Sequence, residues 1–191
     1  MRKAIELDGE NPVAHHALGL ALQRIEDLPR AALAFQQARE LSDARARRHE
    51  AETHTNRGIE FLGKGEVLEA VETLQRGLAL EPDLAAAHHY LGVALGAMGK
   101  WEEARQAFAA ALKNNPSDPE IHYNFGVALK YHGDWRGAVQ EFTSAIELRP
   151  GHPQARCSLA EGLFQIGEND RANSVLLQAR EFGSCEPGRP R

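Results

Sequence analysis

The sequence predicts an all-α solenoid of tandem helix-turn-helix units, and three observations carry that prediction. Units beginning at Ala51, Ala85, Pro119 and Pro153 follow one another at a fixed spacing of 34 residues, and self-similarity at a constant period of this size is the signature of stacked repeats. Within a unit, apolar residues fall at helical spacing twice: Tyr90, Leu91, Ala94 and Leu95, then Ala104, Ala107, Phe108, Ala111 and Leu112, with Gly99 and Lys100 between. Small and large residues also return in the same order, so that Phe125-Gly126, Leu129, Gly133, Trp135, Ala138, Phe142, Ala145 and Pro150 repeat Leu91-Gly92, Leu95, Gly99, Trp101, Ala104, Phe108, Ala111 and Pro116.

Each unit therefore reads as two short antiparallel helices. Gly92, Ala104 and Ala111 lack side chains large enough to hold those helices apart, and Leu91, Leu95 and Phe108 fill the space beside them. Pro116 has no amide hydrogen and restricts the residue before it, so it stops the second helix and turns the chain into the next unit. On these residues the chain resembles the tetratricopeptide repeat, a 34-residue helix-turn-helix unit with Leu-Gly, Ala, Phe, Ala and Pro in this order. The resemblance spans roughly residues 1 to 182 in five tandem matches, and it implies a right-handed α-α superhelix.

Composition bounds the rest. The 191 residues are 42% hydrophobic and 26% charged, enough for a globular domain, but a repeat array needs no single central core because each unit buries its apolar face against the next. A net charge of −5 gives no general reason to expect nucleic acid or an anionic membrane. Cys157 and Cys185 are far apart and form neither a disulfide framework nor a CxxC site. A reducing, cytoplasmic setting is the default that follows. No run of about 18 apolar residues suggests a membrane span, and the N-terminus has no signal-peptide apolar segment.

Taken in order, residues 1–11 read as the end of a repeat, since Ala4-Ile5-Glu6-Leu7-Asp8-Gly9 parallels Ala145 to Pro150. The array thus begins mid-helix, either as a piece of a longer protein or as a native half-repeat docked on the first full unit. Unit one, 12–50, carries Leu18-Gly19, Leu22, Ala31, Phe35 and Ala38, then has Asp43 where Pro is expected. Unit two, 51–84, starts five residues late. The expected cause is a first helix capped by Ser42 or Asp43 and running to about Gly63, with continuous helix across the junction as the alternative. Arg57 takes the place held elsewhere by Leu18, Leu91, Phe125 and Leu159, so it is expected to snorkel or find a carboxylate. Units three to five are 85–118, 119–152 and 153–182. The Gly/Pro-rich stretch 183–191 is expected to be a disordered tail without a capping helix. Uncapped ends expose apolar surface, which predicts self-association through an array end.

The family resemblance implies that the first helix of each pair lines a concave face where a peptide or partner helix lies. Carried over by position, it selects His16 and Leu20 in unit one, and Thr55, Asn56 and Ile59 in unit two. Unit three supplies His89, Tyr90 and Val93, and unit four Tyr123, Asn124, Val127, Lys130 and Tyr131. This lining is apolar and aromatic with a few polar groups, which suits a segment with apolar anchors. A Lys/Asn/Arg clamp for a terminal carboxylate, used by some chaperone-binding members, is absent: Leu20, Val93 and Val127 stand where Asn is needed, and His89 and Tyr123 where Lys is. An asparagine ladder is represented only by Asn56 and Asn124.

His15, His54, His88 and His122 hold the same fourth place in four successive units. They are not expected to bind metal, because equivalent helices stack about 10 Å apart whereas zinc needs its nitrogens about 2 Å away. The family often has Trp there, which implies a ring packed beside the turn. Arg45, Arg47, Arg48 and His49 form a basic cluster interrupted by Glu50 and Glu52, and read as a solvated helix face with no nucleic acid expected. No phosphate loop, nucleophile elbow or carboxylate pair stands out, so neither catalysis nor a cofactor is expected within these residues. The chain reads as a module that docks a protein partner in its groove. The alternatives are the substrate-recruiting region of a larger enzyme, such as a glycosyltransferase, and a homo-oligomeric scaffold.

Overall fold

A computed structural model describes residues 9–181. The expected tail and most of the expected partial repeat lie outside the described residues. Within them are nine α-helices and no strand: α1 Pro12–Arg24, α2 Leu28–Lys64, α3 Val67–Leu80, α4 Ala85–Ala97, α5 Trp101–Asn114, α6 Pro119–His132, α7 Trp135–Leu148, α8 Pro153–Gln165 and α9 Asn169–Glu181. The chain divides into two compact units, the first ending at Glu52 and the second beginning at Thr53.

Helix starts follow local chemistry. Asn11 caps α1 by accepting from the amides of Val13 and Ala14, Asp118 caps α6 by accepting from Glu120, and Asp134 caps α7 by accepting from Gly137. His152 caps α8 in the same way, its Nδ1 accepting from the amide of Ala155 at 3.3 Å. Between the two helices of every pair the chain passes through a left-handed residue. Gly65, Gly99, Gly133 and Gly167 take that conformation without a steric penalty. In the first pair the same place is held by Glu26 at φ 63°.

The junction after unit one corrects the expected helix start. Ser42 and Asp43 cap nothing: both lie inside α2, which runs for 37 residues without a break. The reason is local. Residues 39–50, RELSDARARRHE, contain neither Gly nor Pro and are rich in good helix formers, whereas the loops before α6 and α8 contain Pro116 and Pro150. Arg57 meets no carboxylate among the described residues; it is exposed, with its guanidinium 5.6 Å from the centroid of the Phe61 ring.

In the first unit, Ala31, Ala34 and Ala38 of α2 are buried and Phe35 packs on Gly19 of α1. In the second unit two apolar clusters follow one another along the stack. One gathers Leu74, Leu91, Leu95, Ala104, Phe108, Ala111 and Ile121, drawn from α3 to α6. The other gathers Ala138, Val139, Phe142, Leu159, Leu163 and Ala172, drawn from α7 to α9. Phe108 and Phe142 are fully buried, and burying such a side chain contributes about 1.5–3 kcal/mol. Successive helices touch throughout α3 to α9, and the first helices α4, α6 and α8 also touch one another, whereas α5, α7 and α9 do not. The first helices therefore converge on the inner side of this stack.

Candidate functional site

On that inner side, α4 and α6 enclose an open cavity of about 610 Å³. Val93 and Ala97 come from α4, Asn124, Val127 and Tyr131 from α6, and Met98, Trp101 and Phe108 from the turn and α5 behind them. The walls are largely apolar because Val93 and Val127 stand at the same position of α4 and α6, and Gly96 lies against Ala128 where the two helices approach. Tyr131 is 72% exposed at the rim.

Polar groups around the cavity are mostly engaged with one another. Asn124 Nδ2 donates to His89 Nε2 at 2.9 Å, a bond from one repeat to the next. His89 is 6% exposed, with ring centroids 4.7 Å from Tyr90 and 6.1 Å from Phe108. Burial pushes its pKa below the ordinary 6.5, and the charges of Asp118 and Glu120 pull it part of the way back. Lys130, on the same face of α6, forms an ion pair with Glu161 of α8. The cavity thus presents no unneutralised charge from these groups.

The positions selected from sequence fall in several places. Val93, Asn124, Val127 and Tyr131 meet in the one cavity. Tyr90 and Tyr123 are half-buried beside the clusters, Tyr123 lying 5.9 Å from the Phe142 ring and 4.8 Å from that of His152. His16 lies in the first unit in a separate cavity of about 600 Å³ with Pro12, Val13, Phe35, Ala38 and Arg39, and Leu20 is exposed. Asn56 is exposed and Ile59 half-buried. Thr55 and His89 correct the selection. Both are buried, at 3% and 6% exposure, whereas His16 and Tyr123 at the same fifth position are exposed and half-buried, so neither Thr55 nor His89 offers its side chain openly to a partner.

The repeated histidines have a role the sequence reading missed. His15 Nε2 lies 2.9 Å from the carbonyl of Gly9, His88 Nε2 lies 2.8 Å from that of Pro82, and His122 Nε2 lies 3.2 Å from that of Pro116. In each case the ring N–H donates to the carbonyl six residues back and ties the inter-repeat loop to the helix it precedes. Arg156 stands at the equivalent place in the last unit and donates from Nε to Pro150 at 3.0 Å. The expected ring packing is therefore replaced by a hydrogen bond. The signal was present in units three to five, where a donor side chain stands six residues after the loop Pro. His122 also meets Glu141 through Nδ1 at 2.7 Å.

Residues 44–50, with the basic cluster, are exposed, and Arg48 pairs with Glu52 at 3.4 Å. Cys157 is not a free thiol, so cysteine usage supports no reducing compartment. Among the described residues no helix is long and apolar enough to cross a membrane.

Comparison with known proteins adds to this geometry. A family model described as tetratricopeptide repeat matches residues 61–123, and a second of the same description matches residues 123–184. Solved structures align over nearly the whole chain. The crystal structure of MamA protein has a TM-score of 0.65 at 21% identity, covering 91% of this chain and 92% of that one. YrrB, described as a TPR protein with an unusual peptide-binding site, has a TM-score of 0.61 at 22% identity, covering 95% and 91%. At such identities the likeness is one of fold. No curated protein matches the chain.

Proposed function

Since this chain belongs to the tetratricopeptide-repeat family, we propose that it is a protein-interaction module whose binding site is the groove formed by α4, α6 and α8, with an extended partner segment lying across it. The single observation that carries this reading is the apolar cavity between α4 and α6. It gathers Val93, Asn124, Val127 and Tyr131 with Trp101 behind them. A cavity of this kind accommodates one large apolar side chain, and Asn124 supplies a polar group at its wall. Lys130 and Glu161 neutralise each other on the same face, which favours an uncharged segment over an acidic tail. YrrB, with its own peptide-binding site, supports the same use of the fold.

The test is affinity capture with the wild-type chain and a Val93→Glu/Val127→Glu variant shown by circular dichroism to keep its helix. A partner retained by the wild type and lost by the variant is the expected outcome. Equal retention by both would remove the site from this groove.

A further inference from the structure

We propose that His89 decides which hydrogen-bonding group Asn124 presents to the groove: the neutral imidazole holds one amide N–H and leaves Oδ1 as an acceptor for a backbone N–H of the bound segment, whereas the imidazolium turns the amide over and presents its N–H donors instead. The inference deepens the groove reading above and rests on it for the identity of what is bound.

The pair is built into the repeat interface. Asn124 Nδ2 is 2.9 Å from His89 Nε2. An amide nitrogen has only hydrogens to offer, so Nε2 accepts and the ring proton sits on Nδ1. The ring is confined between Tyr90 and Phe108, at 4.7 and 6.1 Å between centroids, and buried, so it cannot swing away to let the amide choose. With Nδ2 committed, Oδ1 has no protein donor among the described residues and is not shut away from solvent. Asn124 lines the cavity beside Val93, Val127 and Tyr131. His89 itself is therefore a positioning residue: it touches Asn124, not the ligand.

Protonation reverses the arrangement because an imidazolium has two donors and no acceptor. The remaining favourable contact is Nε2–H to Oδ1, which requires the amide to turn by half a revolution. Charged and titratable groups facing the ring are few. Asp118 and Glu120 approach from the cap and first turn of α6, Tyr90 is its neighbour on α4, and α5 contributes the uncharged Phe108. Burial favours the neutral ring and the two carboxylates oppose it. The acceptor arrangement is accordingly the one present at neutral pH, and the change falls below pH 6.5.

The experiment is a pH titration of the full chain by NMR, following the His89 ring and the Asn124 side-chain amide together. Both are expected to move with one midpoint below 6.5, and the Asn124 movement should vanish in His89→Gln. Asn124→Ala supplies a second reading, since loss of the charge-assisted bond from the imidazolium to Oδ1, the stronger of the two bonds the pair exchanges, should lower the midpoint of His89. Asn124 signals that stay still while His89 titrates, or that titrate in His89→Gln, would overturn the proposal, as would an unchanged His89 midpoint in Asn124→Ala.

The ligand arm uses N-acetyl-leucine methylamide and N-acetyl-N-methyl-leucine methyl ester, which has no N–H. Above pH 6.5 the amide should bind several-fold more tightly, read from the Val93 and Val127 methyl signals; equal affinities would overturn the assignment of Oδ1. If neither probe shifts those methyls while the coupled titration is seen, the groove reading fails and the His89–Asn124 pair stands.

Discussion

Phe142 closes over Gly126 so tightly that a β-carbon at Gly126 would lie 2.7 Å from its ring. The same relationship joins Gly92 to Phe108 at 2.9 Å and Gly19 to Phe35 at 2.6 Å. The helix pairs of these repeats are therefore set by one contact, a backbone on one helix against a ring on the other.

Gly126→Ala should destabilise the protein. The fully buried ring of Phe142 has nowhere to go, and overpacking of this kind costs about 1–3 kcal/mol, more than the helix-propensity gain of about 1 kcal/mol. Gly63→Ala is the counterpart, since nothing lies within 4 Å of a β-carbon there. It should raise stability by up to about 1 kcal/mol. Thermal unfolding followed by circular dichroism should show midpoints moving in opposite directions.

Glu26→Gly should stabilise the first helix pair. Glu26 holds φ 63° in the turn where the four later pairs use Gly, and the left-handed conformation costs an ordinary residue roughly 1 kcal/mol. Hydrogen exchange at amides of α1 should slow in the variant. Unchanged exchange would mean that the turn carries no strain.

His88→Leu should cost about 0.5–1.5 kcal/mol, the net worth of a hydrogen bond, because the bond to Pro82 at 2.8 Å is lost. His88→Arg should be tolerated better, as Arg156 already makes the equivalent bond to Pro150. Denaturant midpoints of the two variants should therefore separate, with the Arg form nearer the wild type.

Stability should fall as pH drops below 6.5. Burial holds the folded pKa of His89 under that ordinary value, so between the two values the unfolded chain binds more protons and stability rises with pH. The contribution of His89 is present in full above 6.5 and is lost progressively down to the lowered folded pKa, below which it changes no further. Urea midpoints from about pH 7.5 to about pH 5 should show this slope in the wild type and a shallower one in His89→Gln. Equal slopes would assign the loss to other groups.

Where the pattern concerned short-range periodicity, the sequence was sufficient. The period of 34, the glycine turns and the loop prolines depend on which residues can bend, stop or continue a helix, and those are properties of the chain near each residue. The family resemblance, carried over by position, selected Val93, Asn124, Val127 and Tyr131, and these four line one cavity between α4 and α6. Even the unbroken α2 was readable from the absence of Gly and Pro in residues 39–50, though the Asp43 signal competed with it.

Tertiary structure alone decided the rest, because it depends on what a side chain meets across a gap of a whole repeat. Position five looks available to a partner when its own helix is considered alone, yet His89 is buried once α6 packs beside it and spends its acceptor on Asn124. Lys130 reads as a free cation until α8 brings Glu161 to it. The histidine series suggested ring packing until the loop carbonyls came within reach. Helical periodicity tells which way a side chain points, and hydrogen bonding and burial are fixed only when the neighbouring repeat arrives to supply the partner and exclude the water.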